Sequence, residues 1–210
     1  MLNVDYYISD HAVPAREFAG LKLIKQLDLD VYQSPTAWPR AFFTDRVVGY
    51  STVADFAQLI KKGDGRPFAA VQDLDDRISL PSFAIAEPPL HLPPGASWEE
   101  RTVRRATDYH LTSNNTTFVV DAPGPGLAVL TEAYYEYDFQ VTLDGKPTEY
   151  FRVNHAFKGV AIPTAGRHEV TFAYWPLYTT PSLWLAAAGA ALAAIALSLV
   201  FFWTRPAATP

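Results

Sequence analysis

The stretch that decides the fold is DFQVTLDGKPTEYFRV, residues 138–153. Both of its ends are rich in aromatic and β-branched residues, which favour strands, and Asp144-Gly145 stands between them. Because glycine adopts a positive φ without steric cost, Asp-Gly at this place predicts a tight hairpin turn. We therefore predict a β-hairpin built on strands at 138–143 and 149–153.

Strand-like runs continue on both sides of this hairpin, and short segments rich in Asn, Pro and Gly separate them. They lie at 102–111, 116–121, 127–134, 157–162 and 168–174. Seven short strands at nearly regular spacing predict a jelly-roll-like β-sandwich over residues 100–178.

Upstream of the sandwich, residues 1–80 predict a small α+β unit. Thr52 and Asp55 have the spacing of a capping box, which predicts a helix over 52–62 with Gly63 in a left-handed position after it. The helix is expected to bury a face formed by Val53, Phe56, Ala57 and Ile60. The strands of this unit are expected at 4–9, 21–27, 29–33 and 41–50.

The two units are joined by a segment with five prolines between residues 81 and 95. Proline fixes φ and removes a backbone donor, so this segment is expected to be neither a helix nor a central strand. We therefore predict a linker over 81–99.

The C-terminal stretch LWLAAAGAALAAIALSLVFFW, residues 183–203, has Ser198 as its only polar side chain. As a helix it would be roughly 31 Å long, which matches a hydrocarbon core of about 30 Å. Buried helices of soluble proteins rarely lack polar residues over such a length. The stretch predicts a transmembrane helix followed by a short tail at 204–210. The residues expected at the membrane interface are Trp175, Trp184, Trp203 and Arg205.

Small residues dominate this helix, with eight alanines and a Gly189/Ala193 pair. Such residues let helix backbones approach closely in lipid, so other transmembrane helices are expected as partners besides the bilayer itself. The sequence has no second run of this kind and no signal-like segment at its start. Two alternatives stay open: a tail-anchored protein, or the C-terminal piece of a longer membrane protein.

Charge and composition exclude several functions. Residues 1–169 carry 16 basic and 22 acidic side chains, a net charge of −6, without a basic block, so we expect no nucleic-acid partner. The absence of cysteine excludes disulfides, thiolate metal sites and cysteine nucleophiles. We find no phosphate loop and no dinucleotide-binding glycine pattern. The sequence thus predicts no catalytic residue, no metal site and no cofactor in this chain.

Aromatic residues are concentrated between residues 134 and 151. In a sandwich such residues usually form the core, but exposed aromatic faces also bind sugars or lipid headgroups. Both interpretations stay open. The candidate glycan contacts are Tyr134, Tyr135, Tyr137, Asn154 and His155. Among the scattered histidines, His155 and His168 could meet across adjacent strands.

Four segments together resemble bacterial YfhO-family membrane proteins, and nearly the whole chain is covered. They are LNVDYYIS (2–9), YQSPTAWPRAFF (32–43), AYYEYDFQVTLDGKP (133–147) and NHAFKGVAIPTAGRHEVTFAYWP (154–176). The resemblance is most specific in the last segment. One departure is Asp138-Phe139, where the family usually has Gly-Trp.

The resemblance implies an extracytoplasmic β-domain followed by the last helix of a polytopic glycosyltransferase that uses polyprenyl-phosphate-linked sugars to modify envelope polymers. It implies a bacterial plasma membrane, with the head outside and the C-terminus in the cytoplasm. No catalytic residue carries over, because the family's catalytic acidic residue lies in an earlier loop. The motif positions, for which we expect structural roles, are Asp144, Gly145, Asn154, Phe157, Gly159, Val160, Gly166, His168 and Tyr174. Among them, Phe157, Val160 and Tyr174 are expected in the core.

Three hypotheses follow. The chain is an accessory C-terminal part of such a glycosyltransferase, which binds or steers a glycan or lipid-linked sugar. Alternatively, it is a stand-alone membrane-anchored module with a glycan-binding or structural role, or its head is an enzyme in its own right. The absence of a recognisable nucleophile, metal cluster or phosphate loop argues against the third.

Overall fold

The computed structural model describes residues 4–10, 20–72 and 100–203. It consists of a β-rich head and one long C-terminal helix, as the sequence predicted. The predicted linker at 81–99 and the tail at 204–210, with Arg205, lie outside the described residues.

Fifteen strands and two helices are found in the described part of the chain. In chain order they are β1 (Tyr6–Ser9), β2 (Lys22–Gln26), β3 (Asp30–Gln33), β4 (Ala41–Thr44), β5 (Val47–Tyr50), α1 (Val53–Lys62), β6 (Ala69–Gln72), β7 (Val103–Arg105), β8 (Thr107–Leu111), β9 (Asn115–Ala122), β10 (Gly126–Leu130), β11 (Phe139–Leu143), β12 (Lys146–Thr148), β13 (Phe151–Val153), β14 (Phe157–Ile162), β15 (Gly166–Tyr174) and α2 (Thr179–Trp203).

Two five-stranded antiparallel sheets form the sandwich. The outer sheet has the order β12-β11-β15-β9-β8, and the inner sheet has the order β13-β14-β10-β4-β7. Their facing side chains make one core, in which Phe118, Phe172 and Val170 of the outer sheet join Phe43 and Leu130 of the inner sheet. The predicted β-sandwich is therefore present.

The inner sheet is buried on its second face as well. There Phe42 and Val129 pack against Tyr50, Phe56 and the strand β6. A sheet covered on both faces needs continuous apolar strands, and every residue of β4 and β10 is indeed buried. The head thus has three layers, with the inner sheet in the middle.

The third layer is the β5–α1–β6 unit, in which β5 and β6 pair in parallel. The predicted capping box is confirmed, since the Asp55 amide donates to Thr52 Oγ1 and the Thr52 amide donates to Asp55 Oδ2. The buried face was predicted wrongly in part: Phe56 is buried, whereas Val53 and Ile60 are exposed.

The residue after α1 also differs from the prediction. Gly63 has an extended backbone with φ −68° and ψ 159°. The positive φ in this loop, +79°, occurs at Gly65 instead.

The predicted strand 41–50 is two strands, because the chain changes layers at Asp45-Arg46. β4 pairs with β10 and β7, while β5 pairs with β6. Asp45 holds this corner by accepting a hydrogen bond from the Thr102 amide at 2.8 Å. Since β4 lies inside the inner sheet, that sheet is continuous across the boundary drawn between units 1–80 and 100–178.

Arg101 strengthens this connection. Its side chain is buried and pairs with Asp64 Oδ1 at 2.6 Å, and its Nε donates to the Pro67 carbonyl at 2.7 Å. These bonds attach the start of β7 to the loop that follows α1. A separate three-stranded sheet, β1-β3-β2, is formed by the N-terminal strands.

The helix α2 has 25 residues and starts four residues before the predicted span. Within the described residues it is the one helix long and apolar enough to cross a membrane, over Thr179–Phe201, and none of it is buried by the head. The side chains of Trp184 and Trp203 are 74% and 92% exposed, so the head does not cover them. The Ser198 hydroxyl donates to the Ala194 carbonyl at 2.8 Å, so the one polar side chain of residues 183–203 is satisfied within the helix.

Candidate functional site

An open cleft of about 600 Å³ runs along one edge of the sandwich, where the edge strands of the two sheets face each other. β11 and β12 form one side, β13 forms the other, and the loop 131–138 closes one end. The residues that line it are Tyr134, Glu136, Tyr137, Phe139, Gln140, Val141, Thr142, Pro147, Thr148, Glu149, Tyr150, Phe151 and Arg152.

Aromatic rings form the wall of this cleft nearest the loop. The rings of Tyr134 and Tyr150 lie 5.5 Å apart, and Phe139 stands edge-on to Tyr150 at 6.0 Å. The Arg152 guanidinium lies 5.9 Å from the centre of the Tyr134 ring, within cation–π range. These contacts fix the wall before any ligand is present.

Tyr150 joins the wall to the loop. Its hydroxyl donates to the Tyr135 carbonyl at 2.7 Å and accepts from the Phe139 amide at 3.3 Å. Burial raises the pKa of this phenol above its ordinary value, so it stays protonated at neutral pH.

The loop 131–138 is held by the backbone at three further points. Both the amide and the hydroxyl of Thr131 donate to the Arg40 carbonyl, and the Tyr134 amide donates to the Ala156 carbonyl at 2.7 Å. The Trp175 amide donates to the Asp138 carbonyl at 2.8 Å. Tyr137 has a φ of +66°, so the backbone is not extended there, and β11 begins only at Phe139.

The tyrosines predicted as glycan contacts therefore divide. Tyr134, half-buried, and Tyr137, 61% exposed, both line the cleft. Tyr135 is also exposed, but it lines a second hollow of about 420 Å³ beside Leu111 and Tyr174. The cluster is thus neither wholly core nor wholly surface.

Asn154 corrects the sequence interpretation, because its side chain is not open to a ligand. It is 2% exposed, its Oδ1 accepts from the Ala70 amide and its Nδ2 donates to the Phe68 carbonyl, both at 2.7 Å. Its φ is +52°, a value that Asn tolerates better than most residues. Asn154 therefore attaches the β13–β14 turn to β6, next to the inner core.

His155 is exposed beside this turn, with its ring 6.2 Å from that of Phe56. His168 lies beyond the other end of β14, where its Nδ1 is 2.7 Å from Asp144 Oδ2 and its Nε2 is 3.0 Å from the Thr164 carbonyl. The two histidines do not meet, because β14 separates them. Neither lies in the cleft.

The motif positions have structural contacts. Asp144 and Gly145 have φ values of +52° and +75° and connect β11 to β12 as a two-residue hairpin of the type I′ class. The predicted hairpin partner at 149–153 is wrong, because the strand there, β13, pairs with β14 in the inner sheet. Asp144 also accepts from the Glu169 amide at 2.9 Å, and its hydrogen bond with His168 holds the pKa of this carboxyl below its ordinary value.

Gly159 faces β13 so closely that an added Cβ would lie 2.3 Å from Val153 Cγ2. Phe157 is partly buried against the inner core, Val160 is buried between the sheets, and Gly166 begins β15 with a φ of +137°. Tyr174, expected to be core, is 44% exposed and stands edge-on to Phe139.

A buried lysine was not predicted. Lys158, 1% exposed, lies between the sheets with its Nζ 3.1 Å from Glu132 Oε2 and 3.8 Å from the centre of the Phe139 ring. Glu132 also accepts from the Tyr109 hydroxyl at 2.8 Å. Burial lowers the pKa of Lys158, and the carboxylate of Glu132 partly opposes this. The lysine occupies a position in β14 that the sequence alone cannot distinguish from an exposed one.

Among residues 4–10, 20–72 and 100–203, no cluster of three or more His, Asp or Glu side chains could hold a metal ion. The cleft presents aromatic faces and polar side chains, among them carboxylates and a guanidinium. No protein-family model, curated protein or solved structure matches the chain.

Proposed function

We propose that the protein is a membrane-anchored β-sandwich module that binds a glycan in the edge cleft. The observation that supports this most is the preformed tyrosine wall, bordered by hydrogen-bonding side chains, in a cleft of about 600 Å³. Clefts that hold small ligands have volumes of roughly 300–1,000 Å³. Aromatic faces suit the apolar face of a pyranose ring, and amides, carboxylates and guanidinium groups suit its hydroxyls.

The charges of the cleft indicate which sugars it favours. The residues that line the cleft include one guanidinium, of Arg152, and two carboxylates, those of Glu136 and Glu149. The Arg152 guanidinium also lies over the Tyr134 ring, so part of its surface is already in contact with the aromatic wall. This balance disfavours a phosphate in the cleft and favours a neutral or amino-bearing sugar ring.

The test is binding of the full chain, in detergent micelles, to an array of bacterial envelope glycans. Gln140, exposed on β11, lines the cleft. Gln140→Trp fills the cleft and is expected to abolish the array signal, whereas Gln140→Ala leaves it open and retains the signal. An unchanged signal in the tryptophan variant, or no signal from the wild-type chain, contradicts glycan binding in this cleft.

A second proposal concerns the setting of this module. We propose that it is the last extracytoplasmic domain of a polytopic glycosyltransferase related to the YfhO family, and that it positions a lipid-linked sugar or its acceptor. The supporting observation is that α2 is apolar on all sides and, in the described structure, is not covered by the head. Such a helix in a membrane gains from packing on other helices through its small residues.

Association is tested by native electrophoresis of the protein isolated in a mild detergent from its source membrane. An added Cβ on Gly189 contacts nothing within the chain. Gly189→Ile is expected to release the chain from its partner, while Ala191→Ile, about 200° around the helix, is not. Equal migration of both variants and the wild type as a single chain contradicts the proposal, and so does an open reading frame confirmed to start at Met1.

The orientation is tested with the same cysteine-free chain. Ala165 lies on an exposed turn between β14 and β15. A membrane-impermeant maleimide applied to intact cells is expected to label Ala165→Cys. Labelling that appears only after lysis places the head in the cytoplasm and contradicts the extracytoplasmic proposal.

A further inference from the structure

We propose that the head itself lies on the bilayer surface, through a rim of five exposed side chains beside the start of α2. The rim consists of Leu111, Tyr135, Tyr174, Leu177 and Tyr178, whose exposed fractions lie between 44% and 75%. This inference rests on the membrane helix and does not depend on glycan binding.

Three of the five rim residues share one hollow, and the other two follow closely along the chain. Leu111, Tyr135 and Tyr174 line the same hollow, although they come from β8, the loop 131–138 and β15. Leu177 and Tyr178 follow in the segment that leads from β15 into α2. Strands and a loop that are distant in sequence therefore present apolar or aromatic groups at the same end of the sandwich.

Two hydrogen bonds hold this end against the helix. The Trp175 amide donates to the Asp138 carbonyl at 2.8 Å, and the Trp175 indole N–H donates to Thr180 Oγ1 at 3.0 Å. One residue thus contacts both the loop that carries Tyr135 and the first turn of α2. The rim cannot move far from the helix without breaking these bonds.

The length of α2 sets the height of the rim above the hydrocarbon. Its apolar part, 183–203, matches a core of about 30 Å, so residues 179–182 extend roughly 6 Å beyond it. The headgroup layer on each side is about 5–7 Å thick. Tyr178 and the rim residues beside it therefore lie at the headgroup boundary, where tyrosine is enriched in membrane proteins.

The charges around the rim specify the kind of lipid contact. The rim has no basic side chain, and its neighbours in the loop 131–138 include Glu136 and Asp138. Attraction to anionic lipids requires clustered Lys or Arg. The contact is thus made by burial of apolar and aromatic surface in the interface, and it needs no anionic lipid.

The absence of native cysteine makes the test direct. Leu111→Cys, Tyr135→Cys and Ala165→Cys are prepared in the full chain, labelled with an environment-sensitive fluorophore and reconstituted into phosphatidylcholine vesicles. Some of the lipid carries a nitroxide near the glycerol backbone. Ala165 precedes β15, and the nine residues of that strand, ~27 Å in length, separate it from the rim.

The proposal predicts that the nitroxide quenches labels at 111 and 135 at least about threefold more than the label at 165, because a surface-bound rim enters the headgroup region. It also predicts the same quenching after addition of phosphatidylglycerol and at high salt. Equal quenching at all three sites overturns the proposal. Quenching that requires phosphatidylglycerol overturns it too, as does a shielded but unquenched label at 111 and 135, which indicates a protein partner on the rim.

Discussion

Replacement of Asn154 by alanine separates a structural role from a ligand role. Two buried hydrogen bonds, from the Ala70 N–H to Asn154 Oδ1 and from Asn154 Nδ2 to the Phe68 carbonyl, are lost in this variant. The unsatisfied Ala70 N–H costs about 1–3 kcal/mol and the lost bond to Phe68 about 0.5–1.5 kcal/mol, so the free energy of unfolding is expected to fall by about 1.5–4.5 kcal/mol. Alanine at a φ of +52° adds ~1 kcal/mol.

The assay is thermal unfolding of the full chain in detergent micelles, followed by the circular dichroism of the β-rich head. For a chain of this size each kcal/mol corresponds to about 2–4 °C, so the summed loss of about 2.5–5.5 kcal/mol is expected to lower the midpoint by roughly 5–22 °C. Asn154→Gly removes the same bonds without the positive-φ penalty, and is expected to be slightly more stable than the alanine variant.

His155→Ala is the matched control. The neighbouring residue also has a positive φ, +68°, but its side chain is exposed and forms no hydrogen bond across to β6. We expect it to lower stability by less than about 1 kcal/mol. If Asn154→Ala unfolds like the wild type and loses glycan binding instead, then Asn154 is a ligand contact and the reasoning above is refuted.

Three further substitutions test the packing and the electrostatics of the head. Gly159→Ala places a methyl group within contact distance of the facing strand and should cost about 1–3 kcal/mol in urea unfolding; wild-type stability would show that this strand gives way. Lys158→Met leaves Glu132 without its buried partner and should lower the free energy of unfolding by a similar ~1–3 kcal/mol. The double variant with Glu132→Gln should recover part of this loss, and no recovery would contradict an energetic coupling between Lys158 and Glu132. Asp144→Asn keeps a residue suited to the type I′ turn, so its loss of less than about 1 kcal/mol reports the hydrogen bond with His168 at a carboxylate that is half exposed. Because folding lowers the pKa of Asp144, its stabilisation is complete above the unfolded pKa of about 4 and disappears as the pH falls through the folded value; a difference between wild type and variant that persists at lower pH would contradict this assignment.

Much of the architecture follows from local sequence patterns. The Asp144-Gly145 turn, the strand before it, the helix cap at Thr52 and the apolar C-terminal helix are each specified by residues close together in the chain. The partner strand of the hairpin was misplaced, because β13 joins the other sheet. The break at Asp45-Arg46 was missed, because β4 and β5 are both apolar and their separation depends on which sheet each joins. The strand β6 was not predicted, because its four residues, Ala-Ala-Val-Gln, are few and include two alanines, which do not favour strands.

The site was predicted less completely, because the positions of its side chains depend on tertiary contacts between segments that are distant in sequence. Of the predicted glycan contacts, Tyr134 and Tyr137 line the cleft, whereas Tyr135 lines a different hollow. These three residues lie in a loop with a positive φ at Tyr137, so strand alternation does not predict where their side chains lie. The sequence contains no sign that Asn154 is enclosed by β6. Burial of a polar side chain depends on partners that are distant in sequence, and alternation along one strand does not reveal them.

The most direct test of the central claim is the affinity of the full chain for its best-bound array glycan, measured for two tyrosine variants. Tyr137→Ala removes an exposed ring from the cleft, and Tyr135→Ala removes an equally exposed ring from outside it. The loss of one aromatic contact of about 0.5–1.5 kcal/mol predicts a roughly 2- to 13-fold weaker Kd for Tyr137→Ala and an unchanged Kd for Tyr135→Ala. Equal effects of the two substitutions, or a larger effect at Tyr135, would contradict glycan binding in the edge cleft.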